Sequence, residues 1–304
     1  MKKLFIIGIG SLTGSKIARL GKNDYEIFGS FNLRDPKIES INSLKFDISK
    51  NESLEKILHE ISPDVIINCT ALNNVDYCEN HQAESEKINS NFLKDLSKIS
   101  NTKNIKLIHL STDSVFDGTK EMPYVETDIP NPINIYGKTK FIGEKFVLNY
   151  TENLVVRASV LYGLLPKKIE SLDTSSKKPI NFAQWLISKL SKNEEVNIIT
   201  DELSTPIIAD DFANSILHLI SKDKIGLFHS APNIQISRYD FSIKLANYLE
   251  LDTDLILPTT TQNLGRNVQT ALNKCLSSDK LRSTGFNFMT LNESFNLLKQ
   301  QIKN

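Results

Sequence analysis

Apolar and polar positions alternate along the chain in blocks, with short apolar runs separated by stretches of helical periodicity. Lys3–Ile9 is a continuous apolar run. Glycines at 8, 10 and 14 mark its end, and a helical pattern extends from Leu12 to about Leu20. Further runs at Glu26–Ser30, Leu44–Phe46, Val65–Asn68, Leu107–Leu110 and Leu154–Arg157 read as strands. Asn51–Ile61 is an amphipathic helix stopped by Ser62-Pro63, and a longer helix covers roughly His81–Ser100. Asn89 falls inside that longer helix, where burial would require a hydrogen-bond partner. Beyond Tyr162-Gly163 the alternation loosens into LLPKKIESLDTSSKKP, a polar loop of lid-like length. Helices are then expected at Asn181–Lys192, Asp210–Ile220 (capped by Asp210), Ser237–Leu249 (capped by Ser237) and Leu291–Gln300, with strands at Val196–Thr200 and Gly226–His229. The stripe of Phe182, Trp185 and Leu186 reads as core.

Strands alternating with helices predict an α/β fold, a Rossmann-type doubly wound parallel sheet covered on both faces. Its ligand crevice lies at the C-terminal ends of the strands. The division expected is a dinucleotide-binding domain over 1–160, joined by later strands around 196–229, and a smaller α/β substrate-binding domain over 161–304.

Candidate chemistry collects on that edge. The strand, glycine turn and helix at GIGSLTG bring backbone N–H groups and a helix N-terminus toward a pyrophosphate, although Ser11 occupies the place of the usual middle glycine. The second strand ends in GSFNLR. In place of the carboxylate that would hold ribose hydroxyls it offers Ser30 and Arg34, and Arg34 is either a partner for a 2′-phosphate or a surface residue. Asp47-Ile48 either covers an adenine edge or caps a turn. Cys69-Thr70-Ala71, small residues at a strand end, allow close approach of a ligand or tight helix packing. The apolar run at Leu107 ends in Ser111, Thr112 and Asp113, and after a turn-rich segment Tyr136 and Lys140 fall one helical turn apart on one face. A hydroxyl, a phenol and an ammonium in this order form a proton-transfer set, in which the ammonium lowers the phenol's pKa and the hydroxyl orders the substrate oxygen.

Composition narrows the partners. The 304 residues include 36 basic and 36 acidic side chains, so no global field recruits nucleic acid or an anionic membrane. The basic pairs Lys167-Lys168 and Lys177-Lys178 read as a solvated loop face. Cys69, Cys78 and Cys275 are odd in number and lack metal-site spacing, which fits a reduced, cytoplasmic setting and no metal site. The N-terminal MKKLFIIGIGSL reads as a first strand rather than a signal peptide, and no stretch is long enough to span a membrane. Electroneutrality leaves self-association, such as a homodimer, open.

At STDSVFDG and YGKTK the chain resembles the extended short-chain dehydrogenase/reductases, and within them the dTDP-4-dehydrorhamnose reductase branch. PDVIINCTALNNVDYCE, YVETDIPNPINIYGKTK, VVRASVLYG, NFAQWL, DELSTPI and DDFANSI extend the likeness over nearly the whole length. The resemblance implies NADPH-dependent reduction of the 4-keto group of a nucleotide-linked 4-keto-6-deoxysugar, with NADH as the alternative cofactor. It implies that Tyr136 protonates the C4 oxygen, Lys140 holds the nicotinamide ribose and lowers the tyrosine pKa, and Thr112 hydrogen-bonds the substrate oxygen. Gly8, Gly10, Ser11, Leu12 and Gly14 would cradle the pyrophosphate, Ser30 and Arg34 would sit at the adenosine end, and Asp47, Ile48, Cys69, Thr70 and Ala71 would complete the cofactor edge. Asp113, Ser114, Val160 and Arg266 would face the sugar nucleotide. Several positions depart from the family pattern: Ser114 stands for its tyrosine, Val160 for its tryptophan, DELSTPI for D-Q-x-G-x-P-T, and Arg266-Asn267 for an Arg-Pro pair. These changes remove a stacking ring and alter sugar contacts while leaving the proton-transfer set intact. Two other readings stand beside this one. A nucleotide-sugar epimerase would retain its dinucleotide, whereas dehydration is disfavoured because Asp113 is followed by Ser114 rather than a second carboxylate. The regulatory β subunit of methionine adenosyltransferase shares this branch and a similar YGKTK segment, which makes a non-catalytic NADP-binding subunit the further alternative.

Overall fold

The computed structural model describes residues 1–50, 54–165 and 181–303. Much of the polar loop after Tyr162, its two lysine pairs and the first turn expected at Asn51 lie outside the described residues. Seven strands build one parallel sheet: β1 (Lys3–Ile7), β2 (Glu26–Phe31), β3 (Asn42–Lys45), β4 (Val65–Asn68), β5 (Lys106–Thr112), β6 (Leu154–Ala158) and β8 (Gly226–Ser230), in the spatial order β8-β6-β5-β4-β1-β2-β3. The chain winds outward from β1 to β3 and then restarts on the other side of β1 with β4. The topological switch therefore falls between β1 and β4, where doubly wound sheets open their ligand crevice.

The apolar runs are continuous because both faces of the sheet are covered. Along β1, Leu4 and Ile6 enter one core with Ile17, Val65, Ile67, Ile108, Phe212 and Ile216, while Phe5 and Ile7 enter another with Ile57, Ile66, Leu96, Leu107 and Val155. Helix α1 (Leu12–Gly21) and helix α8 (Ala209–Ser221) pack on the first face, and α2 (Leu54–Ile61), α5 (Phe92–Thr102) and α6 (Ile135–Leu148) cover the second.

The long helix expected over 81–100 is broken. It begins as α3 (Val75–Asn80) and α4 (Gln82–Glu86), passes through a π-helical turn at Lys87–Asn91 and continues as α5. Asn89 lies in that turn. Its side chain accepts from Leu72 N at 2.8 Å and donates to Leu72 O at 3.0 Å, with Thr139 Oγ1 at 3.2 Å. The widened turn aims a buried amide at the loop after β4, and this is the partner that burial demanded.

A third core belongs to the chain's second half. It gathers Tyr162, Leu186, Val196, Ile198, Phe241, Leu245, Phe295 and Leu298, with Phe182 and Trp185 packed against it. It draws on α7 (Phe182–Leu190), α9 (Arg238–Leu249) and α10 (Leu291–Lys303). The strand β7 (Val196–Ile199) pairs in parallel with β9 (Ile256–Thr259) rather than with the large sheet. Ser237 caps α9 as expected, accepting from Asp240 N. Asp210 does not cap α8, which starts one residue earlier after Ile208. Its carboxylate instead meets Lys16 of α1 at 3.0 Å and Gln301 of α10. The charge joins helices instead of closing one.

Candidate active site

Parallel strands place their C-terminal ends on one edge, and register aligns the residues that come after them. Ile7 pairs with Ser30 and Asn68, Asn68 with His109, and Thr112 with Ala158. Gly8, Ser30, Cys69, Thr70, Ser111 and Thr112 are thus consecutive features of one rim.

The glycine turn is fixed by close approaches. Gly8 has φ +85°, and a Cβ there would lie 2.7 Å from Thr70 Cγ2. Its N–H and that of Ile9 both donate to Ser30 O at 2.9 Å. A Cβ on Gly14 would come within 2.4 Å of Gly8 O, so α1 begins directly against the turn. Ser11 is the N-cap of α1, accepting from Gly14 N at 3.0 Å. With that donor capped, Leu12 and Thr13 are the first-turn amides that helix geometry leaves without intrahelical acceptors. Arg34 is buried, with its backbone pressed against Gly10. Asp47 closes its own turn by accepting from Ser49 N at 2.9 Å, and Ile48 packs on the second-face core. Ala71, after β4, is exposed. Two buried hydroxyl oxygens on this rim, Ser30 Oγ and Ser111 Oγ, have no hydrogen-bond partner among the described residues. Orphaned donors along a glycine-turned helix N-terminus suit a ligand rich in phosphate and hydroxyl oxygens.

The proton-transfer set comes from two elements. β5 ends in Thr112, whose hydroxyl accepts from Ser114 N at 3.1 Å and donates to Asp113 Oδ1 at 3.0 Å. Asn134 caps α6 by accepting from Gly137 N at 2.9 Å, which sets the first turn and aims Tyr136 and Lys140 at the strand end. A Cβ on Gly137 would lie 2.1 Å from Ser114 O, so this helix start needs glycine to reach the strand. Tyr136 is part-buried and its phenol is raised above its ordinary value of 10.0, first by burial and then by Asp113 and Cys78, against the hydrogen bond of Thr112, which lowers it. Lys140 is not among the groups that lower it. The spacing suggested that it would be, but Lys140 Nζ turns away to His109 Nε2 at 2.9 Å and Leu110 O at 2.7 Å. Burial brings that lysine down from 10.5 to about 7.

The expected substrate positions are tied into one polar floor. Asp113 is buried and raised above its ordinary value by desolvation, with Lys274, Ser159 and Thr112 opposing. Ser159 donates to its Oδ2 at 2.9 Å. Lys274 also pairs with Glu202, which takes Arg238 at 3.3 Å and Arg266 at 2.9 Å. Arg266 therefore reaches Asp113 only through Lys274 and Glu202. Ser114 Oγ donates back to Asp113 Oδ1 at 3.2 Å, and Val160 is half-buried at the end of β6, its C=O accepting from Ile207 N. The sequence reading missed Asn68, His109, Ser159, Glu202 and Lys274. Asn68 and His109, polar residues inside runs that the pattern marks as buried strand, were the available signal.

Three kinds of comparison point to one family. The family model described as the RmlD substrate binding domain matches residues 1–302. The chain is 31% identical over 274 residues to a Haloferax volcanii protein named "Probable low-salt glycan biosynthesis reductase Agl14", covering 90% of this chain and 88% of that one. It is 30% identical over 267 residues to the methionine adenosyltransferase 2 subunit beta of Bos taurus, covering 85% and 75% respectively. Among solved structures, dTDP-4-dehydrorhamnose reductase from Bacillus anthracis in complex with NADP superposes over 100% of both chains with a TM-score of 0.85 at 27% identity.

Proposed function

The chain belongs to the RmlD substrate-binding domain family, and from that premise we propose that it reduces the 4-keto group of a nucleotide-linked 4-keto-6-deoxysugar with NADPH. The observation that carries this reading is that Thr112 at the end of β5 meets the Tyr136 phenol, with Lys140 one turn on along α6, on the same strand-end edge as the glycine turn after β1. The names of relatives support it: proteins 31% and 27% identical to this chain are called dTDP-4-dehydrorhamnose reductase and dTDP-4-keto-6-deoxy-D-glucose reductase. The bound dinucleotide supplies the hydride that goes to C4.

The chain's own residues do the rest. The amides of Leu12 and Thr13 and the turn at Gly8 and Gly10 face the pyrophosphate, and the small side chains of Cys69, Thr70 and Ala71 leave room for it. The hydroxyl of Ser30 and the guanidinium of Arg34 take the adenosine end, the latter against the 2′-phosphate. The Tyr136 phenol gives its proton to the C4 oxygen as carbon receives hydride, and Thr112 holds that oxygen in line. Burial holds the phenol in the protonated form that an acid needs, while the same shift makes it a weaker donor until a cation comes near it, and solvent restores its proton after turnover. Lys140 reaches the nicotinamide ribose. The residues after 161 take the sugar nucleotide, with Asp113, Ser114, Val160 and Arg266 facing it. No helix among the described residues is long and apolar enough to cross a membrane, and we place the reaction in the cytoplasm, where NADPH is supplied.

A second reading is supported by the β-subunit relatives and by the changed sugar-facing positions Ser114 and Val160: NADP binding without turnover. One experiment separates the two. NADPH oxidation is followed by absorbance against freshly generated 4-keto-6-deoxy nucleotide sugars. Turnover with one of them establishes the reductase and names its substrate. Saturable NADPH binding with no turnover on any of them overturns the reductase in favour of the binding subunit.

A further inference from the structure

Lys140 ends in a buried cage whose donors and acceptors are all set by one fixed point. The Thr70 backbone N–H, a donor in every state, lies 3.2 Å from Asn68 Oδ1, and Thr70 Oγ1 donates to the same oxygen at 2.6 Å. The Asn68 amide is thereby oriented with its NH2 toward His109 Nδ1, 3.1 Å away. An amide NH2 offers only protons, so Nδ1 must accept, and the proton of the neutral ring resides on Nε2. A doubly protonated ring would set N–H against N–H at full burial. The Nε2–H then points at Lys140 Nζ, 2.9 Å away. An ammonium has no lone pair to receive it. A neutral amine accepts there and still donates to Leu110 O at 2.7 Å.

We infer that His109, locked as its Nε2–H tautomer by Asn68 and Thr70, is a positioning residue that holds Lys140 as a neutral amine in the cofactor-free protein, so that dinucleotide binding takes up a proton onto Lys140. The uptake rests on the proposed cofactor reading; the neutral amine does not. Ribose hydroxyls offer acceptors in place of the His109 donor, and the pyrophosphate brings anionic charge to the rim, so the ammonium becomes the favoured form when the edge is filled. The proton comes from solvent and forms one N–H bond, with no other bond changed. The tyrosine then gains its cationic neighbour only in the complex.

The surrounding groups agree. Burial lowers both Lys140 and His109. Glu144, one turn on along α6, favours the ammonium but is held by Arg157 of β6 through bonds of 2.9 and 2.6 Å. Cys69 at the end of β4 is kept as a thiol by burial. Cys78 of α3 and Asp113 after β5 act on Tyr136. The direction of the pH dependence is then determined. Affinity for the dinucleotide is level below about pH 7, where free Lys140 is already protonated. It falls about tenfold per pH unit above that, until the complex itself loses the proton.

Calorimetric titration of the full chain with NADPH at pH 8, in two buffers of different ionisation enthalpy, counts the protons. Wild type should take up close to one per site. His109→Gln places a carbonyl where Nε2 stood, accepts from an ammonium in the free protein, and should take up several-fold less. No uptake by wild type, or equal uptake by His109→Gln, overturns the coupling. The 15N spectrum of histidine-labelled, cofactor-free wild type reads the tautomer directly. Protonation at Nε2 supports the assignment, and protonation at Nδ1 overturns it. If NADPH does not bind at all, the proposed cofactor site fails, and the tautomer still decides the state of Lys140.

Discussion

In the proposed reaction Tyr136 and Thr112 divide one task, and the variant that separates them removes a single oxygen. Tyr136→Phe keeps the ring that packs at the start of α6 and deletes the proton donor. We expect turnover to fall by about 10²–10⁴-fold while NADPH still quenches or enhances fluorescence with near wild-type affinity; retained turnover would remove Tyr136 from the mechanism. At the other end of the cofactor edge, Arg34→Ala should weaken NADPH by about 10–100-fold, the size of a lost charge-assisted contact, and leave NADH almost unchanged. Equal losses for both would make Arg34 a packing residue, a role its burial against Gly10 also suits. The residues proposed to carry this chemistry were readable because each sits at a position with a simple signature: a polar residue ending an apolar run, or two residues four apart on a helix. His109 and Asn68 were not. They occupy strand positions inside β5 and β4, where the pattern reports burial without reporting which polar groups will meet across the sheet.

Elements were legible where periodicity was unbroken and obscured where a side chain overrode it. The stretch over 81–100 has helical spacing throughout, and nothing in that spacing announces the extra residue of the π turn at Lys87–Asn91. The turn exists because Asn89 completes both backbone groups of Leu72. Asn89→Ala therefore leaves the buried Leu72 N–H without a partner and its C=O with only the weak Cys78 thiol donor at 3.4 Å, and should cost about 1–3 kcal/mol, seen as a lower urea midpoint with an unchanged slope. An unaltered midpoint would mean water replaces the amide. The cap of α8 failed for a related reason. Asp210 has the right residue type next to the right helix, but Lys16 lies close enough to claim its carboxylate. Gly137 tests the junction that makes the site. Gly137→Ala would put a methyl 2.1 Å from Ser114 O and push the first turn of α6 off the end of β5. We expect a drop in kcat larger than any rise in KM, because Tyr136 moves relative to Thr112 while the cofactor edge on β1 and β4 stays in place.

On the scale of the whole molecule, the first half follows from alternation alone, since each apolar run adds one strand to one sheet. The second half does not, because its strands are short and split between β8 on the large sheet and β7 with β9 apart from it. Charge binds its loops together. Glu202, 1% exposed, gathers Arg238 at the start of α9, Arg266 and Lys274. Desolvation alone would raise its carboxyl, yet Lys274, Arg238 and Arg266 together draw it from 4.5 down to about 2. A folded value below the unfolded one gives stability that is complete above about pH 4.5 and lost as pH falls toward about 2. The amount is about 3 kcal/mol for a shift of this size at a buried site. Glu202→Gln, which restores the amide of the family pattern, takes from Arg238 and Arg266 the carboxylate they share and leaves Lys274 with Asp113 alone. It should lower the urea midpoint at pH 7, and the gap from wild type should narrow as pH drops from 4.5 toward 2. The narrowing is the decisive feature. A packing defect would hold the gap constant with pH, whereas a lost carboxylate can matter only where wild type still carries the charge.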